Sequence, residues 1–218
     1  MKKSVAVIGL GRFGRSVAAS LAKAGQDVCA IDIDQEKVEM VEHFVTYAMR
    51  ADVTDAETLE GLGIENFDEI VVGIASNLEA SIVITDMLKE AGAKHIICKA
   101  NGQTHGRILK RVGADMVVYP ELFTGEIVAK QMIFEGCTGL FPITEHFSLI
   151  ETGMPKSWVG RKLVEMNLRS EHGINIVGMR VGEEINTRID PTAPLQADAT
   201  VILIGENEEM EKLMKKLQ

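Results

Sequence analysis

The stretch Val5-Ala6-Val7-Ile8-Gly9-Leu10-Gly11-Arg12-Phe13-Gly14 decides the fold, together with Asp32, which closes the run Val28-Cys29-Ala30-Ile31. An apolar, strand-like run stops at a glycine turn, and helix-like sequence from Ser16 to Ala24 follows at once. This is the layout of a βαβ unit of the dinucleotide-binding type. Gly9 permits the tight turn, Gly11 lets backbone N–H groups approach a phosphate, and Gly14 lets the helix pack close to the strand. The helix N-terminus turns positive partial charge toward that phosphate. Asp32 is placed to accept hydrogen bonds from ribose hydroxyls, and its charge disfavours a 2′-phosphate. The bland alternatives are a glycine turn used only for packing and a solvated carboxylate after a strand.

Outward from this unit, apolar β-branched runs recur near residues 4–8, 27–31, 44–48, 69–74, 95–98 and 116–119. Helical periodicity fills the gaps at 13–24, 35–42, 55–61, 77–91 and 104–112. Such alternation predicts an α/β fold, a parallel sheet covered by helices on both faces. The strands are nearly continuous hydrophobics, as burial on both faces requires. Six strands suit a Rossmann-like doubly wound sheet of order 3-2-1-4-5-6, with ligand at the switch point beside the first strand. Pro120 closes the sixth strand, Glu121 to Glu135 reads as a crossover helix, and Gly136-Cys137-Thr138-Gly139 breaks it. The expected domains are therefore 1–136, which binds nucleotide and includes the crossover helix, and 140–218. The second has a different grammar: strands at Ser148–Glu151, Asn175–Arg180 and Thr200–Gly205, a helix around Arg161–Met166, and a charged helix Glu208–Leu217. It reads as a small α+β domain.

The chain has 218 residues, 46% hydrophobic and 25% charged, the composition of an ordinary globular protein. A net charge of −9 argues against nucleic acid or an anionic membrane surface as partner. No apolar run approaches the ~20 residues that span a bilayer. Met1-Lys2-Lys3 leads into a core strand with no signal-peptide pattern, so a cytoplasmic location is expected. Cys29, Cys98 and Cys137 are widely spaced and read as reduced thiols, and the five histidines show no metal spacing.

Later strand ends add candidates. Asp52 can contact adenine or cap the helix at 55–61, a role Thr54 or Asp55 could also fill. Ala75, Ser76 and Asn77 can line the ligand or merely cap the next helix. Lys99 ends the fifth strand as either a phosphate partner or a surface lysine. Phe13, Ile33 and Val53 flank these positions and complete the nucleotide-side set. Arg12 follows the second glycine, where a cation is unfavourable at the positive helix end unless phosphate is near. It can serve its own nucleotide or one bound by a neighbouring subunit.

A dehydrogenase needs a substrate pocket and a proton donor or acceptor. The second domain offers only His146 and His172, without partner spacing, and the chain has no P-loop, G-x-S-x-G or H-E-x-x-H. A ligand-sensing module therefore ranks above a small NAD-dependent oxidoreductase, which is the alternative, as is a stand-alone nucleotide-binding protein.

The glycine motif, Asp32, Asn66-Phe67-Asp68-Glu69-Ile70-Val71-Val72, Lys99-Ala100, and Val112-Gly113-Ala114-Asp115 leading to Tyr119-Pro120-Glu121 resemble the regulator of K⁺ conductance (RCK) family. The likeness is to the cytosolic subunits of Ktr/Trk-type potassium uptake systems. It implies a non-enzymatic regulator that forms dimers, assembled as an octameric ring beneath a membrane K⁺-translocating subunit. ATP and ADP, or NADH and NAD⁺, would bias the ring between conformations. The resemblance places the phosphate-contacting arginine at Arg12, the ribose acid at Asp32, the adenine-side acid at Asp52 and the strand lysine at Lys99. It places at Glu121 the acid that helps hold a divalent cation near the phosphates. Some relatives bind cyclic di-AMP in the second domain, a site that would fall on Arg169, His172, Asn175 and Ile176. Arg15 departs from the family pattern, which often has a small residue there.

Overall fold

β1 (Ser4–Ile8) runs through the middle of a parallel sheet. Ala6 and Ile8 face one layer of core, Val5 and Val7 the other, and all four are buried. The computed structural model describes residues 2–134 and 136–217. The chain divides into two compact units, Met1–Leu122 and Phe123–Gln218.

In the first unit β1 is followed by α1 (Arg12–Lys23), β2 (Asp27–Asp32), α2 (Gln35–Glu39) and β3 (Tyr47–Arg50). Then come α3 (Ala56–Gly61), β4 (Glu69–Val72), α4 (Leu78–Glu90), β5 (Ile96–Lys99), α5 (Gln103–Arg111) and β6 (Met116–Val118). The strand order is β3-β2-β1-β4-β5-β6, all parallel, as the sequence predicts. The order reverses between β1 and β4, which opens a crevice at their carboxyl ends.

Two glycines let the elements close on one another there. Gly9 has φ +89°, and a Cβ on it would meet Ile74 Cγ1 at 2.5 Å. A Cβ on Gly14 would lie 2.0 Å from the Gly9 carbonyl oxygen, so α1 can lie against β1 only as glycine.

The third strand begins later than expected. The Phe44 and Val45 N–H groups donate back to Val41 O, which prolongs the turn after α2. Their side chains pack on the core while the strand proper starts at Tyr47, opposite Cys29. Asp55, through Thr58 N–H, caps α3, so that role falls to Asp55 and not to Asp52.

α6 (Pro120–Ile133) begins at the end of the first unit and runs into the second. The division by compactness thus falls inside this helix, ahead of the boundary read from Gly136 to Gly139. Glu135, the expected helix end, lies outside the described residues. Beyond it the second unit holds β7 (Cys137–Pro142), β8 (Phe147–Gly153), α7 (Leu168–His172), β9 (Asn175–Val181), β10 (Glu184–Asn186), β11 (Thr200–Glu206) and α8 (Asn207–Leu217). Its antiparallel sheet has the order β10-β9-β11-β8-β7.

β7 occupies residues read as a break. Its Gly139 and Pro142 are turn signals, but β7 is an edge strand, where both are tolerated. The helix expected around Arg161–Met166 is only a 3₁₀ turn at Leu163–Glu165, because Lys162 bridges to Pro194 and keeps the approach extended. The core gathers Ile150, Val201 and Leu203 from the sheet with Met210 and Leu213 from α8.

Candidate functional site

At the carboxyl ends of β1, β2 and β4 lies a cavity of about 440 Å³. Every nucleotide-side residue expected from the sequence lines it except Gly14, which packs behind it. Gly11, Arg12, Phe13 and Lys99 line it, and so do Asp32, Ile33, Asp52 and Val53. Gly9 and the segment Ala75, Ser76 and Asn77 complete the wall. Asn77 does both things the sequence allowed: it lines the cavity and caps α4 by accepting from Ala80 N–H at 3.1 Å.

Asp32 is 8% exposed and already engaged. Oδ2 accepts from Leu10 N–H at 2.6 Å, and Oδ1 accepts from Asp34 N–H at 2.9 Å. The carboxylate therefore braces the glycine turn against β2 as well as facing the cavity. Asp52 Oδ1 accepts from the Thr54 amide at 3.0 Å and its hydroxyl at 2.6 Å, which holds the acid below the usual carboxylate range.

The wall also carries positive charge around the start of α1. α1 has Gly11 as its N-cap, with no side-chain cap and no acid in its first turn, so its N–H groups are open toward an anion. Arg12 is exposed and has no partner among the described residues. Arg15 turns away and donates to Met40 Sδ. Lys99 Nζ sits 6.0 Å from the Phe13 ring centroid and donates to Glu121 Oε1 at 2.6 Å. That bond holds Glu121 below the usual carboxylate range.

Glu121 does not line the cavity. Among the described residues no three His, Cys, Asp or Glu side chains converge on a cation site. A cation held at Glu121 would displace Lys99 from that carboxylate and take its remaining ligands from the phosphates of a bound nucleotide.

Sequence reasoning missed Lys37 and Gly73. Lys37, on α2, lines the cavity with Nζ 3.6 Å from Asp32 Oδ1 and 3.3 Å from Asp34 Oδ2. Its spacing from Asp34 is that of an ordinary helix-surface pair, so nothing flagged it. Gly73 was read as the interior of a strand. Its N–H donates to Ile8 O at 2.7 Å, and a Cβ there would lie 2.7 Å from Gly9 O. A glycine ending an apolar run was the available signal.

The second unit has a groove of about 550 Å³ lined by Arg169, Asn175 and Ile176, with Leu163 and Ile174 among its walls. His172 is not among them. It lies on the side of α7 packed against α8, its Nδ1 3.9 Å from Glu209 Oε2. Among the described residues no helix is long and apolar enough to cross a membrane.

Fold and site together define a class: a Rossmann-like domain with its crevice at the switch point, followed by a small antiparallel domain. Comparison with known proteins makes it specific. The TrkA-N domain matches residues 5–120 and the TrkA-C domain matches residues 150–218. The chain belongs to the TrkA-N domain family. It is 34% identical over 217 residues to Ktr system potassium uptake protein C of Bacillus subtilis (strain 168), over 100% of this chain and 98% of that protein. The solved GsuK RCK domain shares its fold with a TM-score of 0.64 at 16% identity, over 99% of this chain and 47% of that one. The GsuK channel bound to NAD gives 0.65 at 16% identity, over 100% of this chain and 40% of that one. This chain thus spans less than half the length of either GsuK chain.

Proposed function

We propose that this chain is a nucleotide-sensing regulatory subunit that gates a membrane potassium uptake channel or transporter from the cytoplasmic side. The observation that carries this reading is the single cavity that gathers the glycine turn, the open start of α1, Arg12, Asp32 and Lys99. It occurs in a chain that aligns end to end with Ktr system potassium uptake protein C. The ligand is an adenine nucleotide, ATP and ADP or NAD⁺ and NADH. Its pyrophosphate faces the start of α1 and its ribose faces Asp32.

The chain acts by binding and not by catalysis. The cavity wall holds no histidine or cysteine, and the carboxylates of Asp32 and Asp52 are engaged by amide and hydroxyl donors. That supports a site that orients a ligand without moving a proton. Ligands that differ in charge bind the states of the assembly differently and shift their populations. The assembly is a homo-oligomer, built from dimers into an octameric ring under the membrane subunit. The groove at Arg169, Asn175 and Ile176 takes cyclic di-AMP, with Arg169 facing phosphate and Ile176 facing a base.

Calorimetric titration with ATP, ADP, NAD⁺ and NADH tests the main reading. At least one should bind, and Asp32→Asn should weaken it about tenfold, the worth of a charged hydrogen bond. Absence of binding by all four at millimolar concentration overturns it.

A further inference from the structure

Three cations line the cavity, and they differ in what already holds them. Lys37 lies between two carboxylates, Asp32 and Asp34. Arg12 has no partner among the described residues. Lys99 has one partner, Glu121, and that partner stands outside the cavity. The Lys99 side chain is 16% exposed and the Glu121 side chain 69% exposed. The ammonium thus faces the cavity while the carboxylate that holds it faces solvent.

We propose that Glu121 is a built-in competitor for the phosphate-side cation of this cavity: it holds Lys99 until an anionic ligand displaces it. This deepens the nucleotide reading above and rests on it. A lysine ammonium is a compact charge with rotatable donors on a flexible stem, so it can turn from one oxygen anion to another. Glu121 returns to water at little cost because it is largely solvated already. Once released, it remains in the first turn of α6, where a negative charge suits the helix dipole. Glu121 therefore sets affinity and favours ligands whose phosphate charge competes best for Lys99. Because α6 runs from the first unit into the second, the exchange is felt where that helix begins.

The test uses the whole chain, freed of nucleotide, with a chelator present and with ADP and NADH as probes, both of which carry a pyrophosphate. Wild type, Glu121→Gln, Lys99→Gln and the double variant are titrated calorimetrically, with circular dichroism to establish folding. Glu121→Gln should tighten binding about two- to fivefold, the ordinary worth of an exposed ion pair. Lys99→Gln should weaken it, and in that background Glu121→Gln should change nothing. Unchanged or weaker binding in Glu121→Gln overturns the proposal, as does a gain that persists without Lys99. If wild type takes up neither probe, the nucleotide reading falls as well. If wild type binds and the tightening is missing, only the role of Glu121 falls.

Discussion

Gly11 and Gly14 stand three residues apart and answer to different neighbours. A Cβ on Gly11 meets nothing within 4 Å, and its backbone, at φ −64°, suits any residue. A Cβ on Gly14 would strike the Gly9 carbonyl, which is backbone and cannot swing aside. Gly14→Ala should therefore destabilise the chain by roughly 1–3 kcal/mol or more, the usual range for overpacking. Gly11→Ala should leave the melting temperature nearly unchanged while weakening nucleotide binding at least tenfold, because its methyl group fills the approach to the helix start. Thermal melts beside titrations of both variants separate the two roles, and equal losses of stability would contradict this division. Both glycines and their division of labour were legible in the motif; that the Gly9 carbonyl is the atom Gly14 must clear required the structure.

Between elements, α4 and α5 are joined by buried polar contacts. His105 is 2% exposed, and its Nε2 lies 2.8 Å from Ser81 Oγ. Thr85 Oγ1 donates to Ser81 O at 2.6 Å and lies 3.3 Å from Cys98 Sγ. The Cys98 thiol is pushed up to about 11 by burial, so it stays protonated. Burial also holds the His105 pKa below its ordinary 6.5. The unfolded chain then takes up a proton first as pH falls. The contribution of His105 is complete above pH 6.5 and is lost as pH falls from there through the lower folded-state pKa. Melting temperature between about pH 8 and 5.5 should fall more steeply in wild type than in His105→Gln. Parallel slopes would show that another group takes up the proton. In the sequence His105 carried no signal beyond its lack of metal spacing, because Ser81 lies 24 residues away on a different helix.

At the scale of the whole molecule, α6 runs 14 residues and buries none of them. Phe123, Val128, Met132 and Ile133 are exposed, Met132 by 79%. An apolar helix left open in one copy is suited to cover by another copy. Met132→Glu with Ile133→Glu should raise the dissociation constant of the assembly about a hundredfold, from roughly 3 kcal/mol of apolar burial lost. Sedimentation of the double variant as wild type would remove α6 from the interface. The sequence by itself determined the strand order of the first unit, the glycine turn and many of the residues around the cavity, though not Lys37 or Gly73. Those signals are local: continuous apolar runs, glycines at a strand end, an acid closing the next strand. Tertiary structure alone decided that Lys99 is held by Glu121, Asp32 by Leu10, and His105 by Ser81. It alone made Cys137–Pro142 a strand. Each of these depends on a partner far along the chain, and an edge strand takes its hydrogen bonds from its neighbour whatever its own propensity.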